Sequence, residues 1–89
     1  MFTFTNKLKK IGRMHFEPHN LIDLVTTKMP YGKYQGTPIY KLPEFYLVWY
    51  HQKGYPQGKI GALLALMYEI QLNGLEYMLQ PIISKYKTV

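Results

Sequence analysis

The chain has no cysteine, a single arginine (Arg13), a single tryptophan (Trp49) and only five acidic residues. Without cysteine it can form neither a disulfide nor a thiolate metal site. Bidentate reading of guanine in a duplex groove is mostly arginine work, and one arginine gives it little to draw on. No Asp-x-Glu pair or acidic cluster exists among the carboxylates, which leaves no two-metal nuclease centre in the pattern. Long apolar runs are also missing. The longest, residues 62–68, falls far below the ~18–20 residues a membrane span needs. Lys7, Lys9, Lys10 and Arg13 are followed by no apolar h-region, so the N-terminus does not read as a signal peptide. Cytoplasmic residence is the resulting expectation.

What is abundant is positive charge and tyrosine. Eleven Lys+Arg stand against five Asp+Glu, a net +6, and there are nine tyrosines in 89 residues. That length makes one domain. A chain so short buries only about 60–65% of its unfolded surface. A positive balance favours polyanionic partners such as nucleic acid, phosphorylated ligands or anionic lipid. Because lysine dominates, phosphate contact is favoured over base-specific duplex readout.

Residues 1–17 read as a basic N-terminal extension and residues 18–89 as a single compact domain. Within the extension, residues 1–5 alternate like a short strand, and Leu8 and Ile11 have helical spacing. Asn20 reads as the N-cap of a short helix bearing Leu21, Ile22, Leu24 and Val25, with Asp23 at N3. Residues 28–39 read as a β-hairpin turning at Tyr34-Gln35-Gly36. Pro38 confines its return arm to a sheet edge, and residues 37–39 offer a β-augmentation route. Pro43 suits N1 of a helix reaching about Lys53 and closed by Gly54. That helix is apolar almost all round, which predicts that it is largely buried, Trp49 included. A second long helix runs from about Lys59 to Asn73, with Ile60, Leu63, Leu64, Met67 and Ile70 as its stripe. Asn73-Gly74 stops it; a last short helix follows, limited by Pro81, and a tail begins at Ile82. The expected fold is a small single α+β domain: a short helix and a two-stranded β-hairpin packed on two or three helices.

Candidate chemistry is thin. Glu69 and Glu76 are seven residues apart and share a helical face only if Gly74 leaves the helix unbroken. Glu69 is read as a solvated or cap-pairing residue. His15 and His19 have the i, i+4 spacing of metal ligands, but Pro18 lies between them and no third ligand is near. His51, near a helix C-terminus, is read as favoured there by the helix dipole and not as a base. Gly54-Tyr55-Pro56-Gln57-Gly58-Lys59 resembles a phosphate-binding loop of nucleotide hydrolases but fails its requirements. Only three residues separate the glycines, Ile60 replaces the Ser or Thr that would bind magnesium, and a helix precedes the loop. What survives is an anion rest at a helix start, with Gly58, Lys59 and Gly61; turn geometry and close helix packing explain the same glycines. The chain is therefore read as non-catalytic, without metal or cofactor. The loop tyrosines Tyr31, Tyr34 and Tyr55 could stack bases, at roughly 1–3 kcal/mol per base, between lysines Lys33, Lys53 and Lys59. The competing reading is that they cover the hairpin's apolar face.

Met-Pro-Tyr-Gly-Lys-Tyr-Gln-Gly at 29–36, Leu42-Pro43 with Tyr46-Leu47 and Trp49, Lys53-Gly54-Tyr55-Pro56 with Gly58, and Glu69-Ile70 with Asn73-Gly74-Leu75-Glu76 form a distinctive series. Through it the chain, over about residues 21–81, resembles a small bacterial family labelled a putative quorum-sensing-regulated virulence factor. Tyr31 and Tyr55 stand where that family usually has Phe, which keeps the ring and adds a hydroxyl. The 29–36 motif is also similar to the small C-terminal domain of exonuclease X-like DNA exonucleases. That likeness implies an accessory nucleic-acid-binding role for residues 31–36 and the Tyr46/Trp49 helix; the acidic nuclease motif has no counterpart here. The functional expectation is a non-catalytic module binding single-stranded nucleic acid or DNA ends through Tyr31, Lys33, Tyr34, Lys53, Tyr55 and Lys59. The alternative is a protein-interaction or regulatory module that uses the same aromatic surface. A membrane-bound role ranks well below both.

Overall fold

The first helix, α1 (Pro18–Thr26), opens on a proline, whose fixed φ and missing N–H suit a first turn. It thus starts two residues before the expected cap at Asn20. Leu21, Leu24 and Val25 recur at i, i+3 and i+4 and are buried. The helix ends as the Thr26 hydroxyl donates to the Ile22 carbonyl at 3.0 Å. The computed structural model describes residues 18–86. The expectations for residues 1–17, with His15, and for 87–89 lie outside the described residues.

Residues 28–39 do not form the expected β-hairpin, and no strand is present among the described residues. The chain doubles back with a single isolated antiparallel bridge between Lys28 and Pro38. Three backbone bonds tie its arms: Ile39 N–H to the Thr27 carbonyl, Met29 N–H to Thr37, and Gly36 N–H to Met29, at 3.0, 2.8 and 2.8 Å. Two prolines stop the ladder there, because Pro30 and Pro38 have no N–H to donate. The tip then folds into consecutive turns, Gln35 N–H to the Gly32 carbonyl and Thr37 N–H to Tyr34, with Gly32 and Gly36 at φ 83 and 88. Met29 and Ile39 point into the core. Residues 37–39, expected as an edge strand, form no strand, and Ile39 instead opens a 3-10 turn (Ile39–Lys41), so the β-augmentation edge is absent. The α+β assignment is therefore corrected to a mostly helical domain.

Pro43 caps α2 (Glu44–Lys53), and Gly54, at φ 109, ends it with its N–H on the Tyr50 carbonyl. Only Leu47 of this helix is fully buried. The expectation of a largely buried helix fails for Phe45 and Trp49, which are 62% and 50% exposed. The loop 54–58 leads into α3 (Lys59–Leu72), the central core helix, with Leu63, Leu64, Met67 and Ile70 buried. Gly61 lies against the loop so closely that a methyl group there would run into the Pro56 carbonyl oxygen. Asn73-Gly74 ends α3 as expected, with Leu75 N–H returning to the Ile70 carbonyl at 2.9 Å. A 3-10 turn (Glu76–Leu79) leads into α4 (Gln80–Tyr86). Pro81 starts this helix instead of limiting the preceding one, since a first turn tolerates a missing N–H. The α2 helix packs on α3, while α1 packs on both α3 and α4.

Candidate functional site

The residues singled out in the sequence fall into separate groups. Lys33 is exposed on the loop tip, its Nζ 5.7 Å from the Tyr34 ring centre. Tyr34 is half-buried, edge-on to Tyr46 at 4.6 Å and to Phe45 at 6.3 Å between ring centres. Tyr46 in turn meets Tyr50 at 5.2 Å, and Tyr50 meets Trp49 at 5.0 Å. A continuous row of rings thus joins the 28–39 loop to α2. Burial first, and then a shared hydrogen bond with Tyr50, push the Tyr46 hydroxyl up to about 12. The same hydroxyl sits under Gly32: a Cβ there would lie 3.1 Å from it, so the glycine lets the loop tip rest on α2. Tyr31, 44% exposed, projects from this tip.

A second group forms where α2, the 54–58 loop and α3 meet. His51 stacks on Tyr68 at 4.1 Å with 12° between the planes. Its Nδ1 lies 3.2 Å from the Tyr55 hydroxyl. Tyr55 is half-buried here; burial, and then Tyr68 and Glu69, push its hydroxyl up to about 12. Glu69 is only 8% exposed, contrary to the solvated reading, and Asn73 Nδ2 lies 3.4 Å from its Oε1. Glu76 is exposed on the following 3-10 turn. Among the described residues no three His, Asp or Glu side chains are grouped to hold a metal.

Lys59 belongs to neither group. Its Nζ pairs with Asp23 Oδ2 at 3.0 Å, linking the start of α3 to α1. Gly58, at φ 87, and Gly61, pressed on Pro56, are both explained by backbone geometry and close packing. Lys53 is exposed at the end of α2.

The two most exposed rings of α2 are Phe45, which the sequence did not single out, and Trp49, which its apolar surroundings had placed in the core. Phe45, Trp49 and Lys53 are spaced i, i+4, i+8 and all exposed, so they form one ridge opposite buried Leu47. Phe45, Tyr46 and Trp49 line an apolar depression of ≈ 290 Å³. The signal was available: a ten-residue helix in a domain this small has core on one side only.

The chain belongs to the family described as "Putative quorum-sensing-regulated virulence factor", which matches residues 17–82. It is similar to "Uncharacterized protein YpeB" of Escherichia coli K12 and of Escherichia coli O157:H7. Each is 40% identical over 67 residues, covering 74% of this chain and 93% of the relative. No solved structure matches significantly. The likeness to exonuclease X-like enzymes has no counterpart among these matches. No helix among the described residues is long and apolar enough to cross a membrane.

Proposed function

We propose that this domain is a non-catalytic accessory module that binds single-stranded nucleic acid or DNA ends in the bacterial cytoplasm. The observation that carries the reading is the pairing of cations with rings. Lys33 stands at the loop end of the aromatic row and Lys53 at the far end of α2, both exposed, on a chain of net charge +6. Phosphates are neutralised by such lysines, and bases stack on such rings. The resemblance of the 29–36 motif to an exonuclease accessory domain points the same way. Of the residues expected to make contact, Tyr31, Lys33 and Lys53 keep their surfaces available. Tyr34 packs beneath this surface, Tyr55 belongs to the separate group around His51, and Lys59 has part of its charge offset by Asp23.

A second reading, a protein-interaction module, is favoured by one observation: the depression between Phe45, Tyr46 and Trp49 is lined by rings alone. Fluorescence anisotropy of a labelled single-stranded oligonucleotide separates the two. Binding at low salt should weaken in Lys33→Ala/Lys53→Ala, and log affinity should fall with log salt by about 0.7 for each phosphate neutralised. No binding at low salt overturns the proposal. A stable protein partner that the oligonucleotide fails to displace would install the second reading in its place.

A further inference from the structure

Resting on the nucleic-acid reading above, we infer that Phe45 and Trp49 form a two-base stacking platform for a single strand, with Lys33 and Lys53 beside it. In the sequence Phe45 was not singled out and Trp49 entered only through the resemblance of its helix, yet α2 presents both to solvent at 62% and 50% exposure. They sit one helical turn apart on one ridge, and Lys53 is the next residue of that ridge. Each ring meets its inner neighbour at a steep angle: 67° for Phe45 against Tyr34, and 78° for Trp49 against Tyr50. Edge-on contacts of this kind leave ring faces for a flat ligand to cover.

Spacing selects the form of the ligand. Side chains at i and i+4 are about 5–6 Å apart at Cβ. Neighbouring stacked bases rise only ~3.4 Å along a strand. Two rings held at the wider spacing fit two bases of a stretched single strand, one on each ring, and do not fit the closed stack of a duplex. The open apolar depression of ≈ 290 Å³ between the rings and Tyr46 gives a flat heterocycle an apolar seat.

Charge selects the class of ligand. Every base brings a phosphate, and lysines stand beside the platform. Lys33 Nζ lies 5.7 Å from the ring of Tyr34, the residue that meets Phe45 edge-on, and Lys53 follows Trp49 one turn on. The only carboxylate on α2, Glu44, is one residue before Phe45, about 100° around the helix. The ridge from Trp49 to Lys53 is therefore open to an anionic strand.

Trp49 is the only tryptophan in the chain, so its emission reports directly on the platform. The full chain is titrated with labelled oligo(dT) while anisotropy and tryptophan emission are followed together, and then with a duplex of equal length. Emission should be quenched in step with the anisotropy rise, and the single strand should bind more tightly. Phe45→Ala and Trp49→Ala should each weaken binding roughly 5- to 150-fold. Each ring also meets one inner neighbour, so the alanine variants are compared at temperatures well below their own thermal midpoints; Phe45→Leu keeps apolar bulk without the ring and should weaken binding as Phe45→Ala does. If anisotropy rises while Trp49 emission stays constant and the Phe45 variants bind like wild type, the platform is wrong and the nucleic-acid reading stands. If anisotropy does not change at low salt, the reading itself falls, and the platform with it. Equal quenching by the duplex overturns the spacing argument. Loss of Trp49 accessibility to iodide as protein concentration rises, without oligonucleotide, means that a second copy covers the face and also overturns the inference.

Discussion

Tyr46 and Tyr55 are held by their surroundings in a way that the sequence does not reveal. Burial favours the neutral phenol, and both hydroxyls are pushed from the ordinary 10.0 to about 12. Between pH 10 and pH 12 the unfolded chain therefore gives up these protons while the folded chain keeps them. Stability should fall across that window, whereas below pH 10 both states are neutral and these two groups add no slope. Chemical denaturation at stepped pH tests this. The fall should be shallower in Tyr46→Phe/Tyr55→Phe than in wild type, and equal slopes would contradict the assignment. Residue type could not foretell it, because all nine tyrosines look alike in the sequence.

At the scale of elements, the meeting of the 54–58 loop with α3 turns on Gly61. In an ordinary helix, Gly→Ala stabilises by about 1 kcal/mol. At Gly61 the added methyl would collide with the Pro56 carbonyl, so the sign should invert. Overpacking of this kind costs about 1–3 kcal/mol. In a domain of 60–100 residues, each kcal/mol lowers the thermal midpoint by roughly 4–8 °C. Calorimetry of Gly61→Ala should show the drop, and a higher midpoint would refute the close approach. The element boundaries were largely legible, because their signals are local. Pro43 and Gly54 bracket α2, and Asn73-Gly74 ends α3, through backbone geometry that neighbouring residues dictate. The hairpin was misread because Gly32 and Gly36 suit a loop of turns as well as a hairpin tip. Pro30 and Pro38, on opposite arms, remove the donors that a ladder needs. Pro81 was misread for a related reason: a proline can end one helix or begin another, and only Leu79 seated in the core fixes which.

For the whole molecule, the distribution of charge matters more than its total. Residues 18–86 carry six lysines and four carboxylates, a net +2; residues 1–17 carry four basic residues against Glu17, a net +3; Lys87 supplies the rest of the +6. The family match covers residues 17–82, which carry five lysines and five carboxylates, so the whole of the net positive charge lies outside the matched segment. If the chain binds a single strand, base stacking belongs to the domain and much of the salt dependence to the extension. Replacing Lys7, Lys9, Lys10 and Arg13 by alanine in the full chain should flatten the salt slope by about 0.7 for each phosphate that is no longer neutralised. Quenching of Trp49 at saturation should persist. An unchanged slope would show that the extension does not touch the strand.

The amino-acid sequence by itself determined the helical courses of α2 and α3, their stops and the family, because capping residues, glycines and apolar spacing act over a few positions. It also determined the lack of thiols and acidic clusters. Only the tertiary structure decided which side of α2 faces the core, why Gly61 must be glycine, and that residues 28–39 close on two buried side chains without forming strands. These outcomes depend on which surfaces meet across the chain. A core this small has room for Leu47 but not for Phe45 and Trp49 behind it.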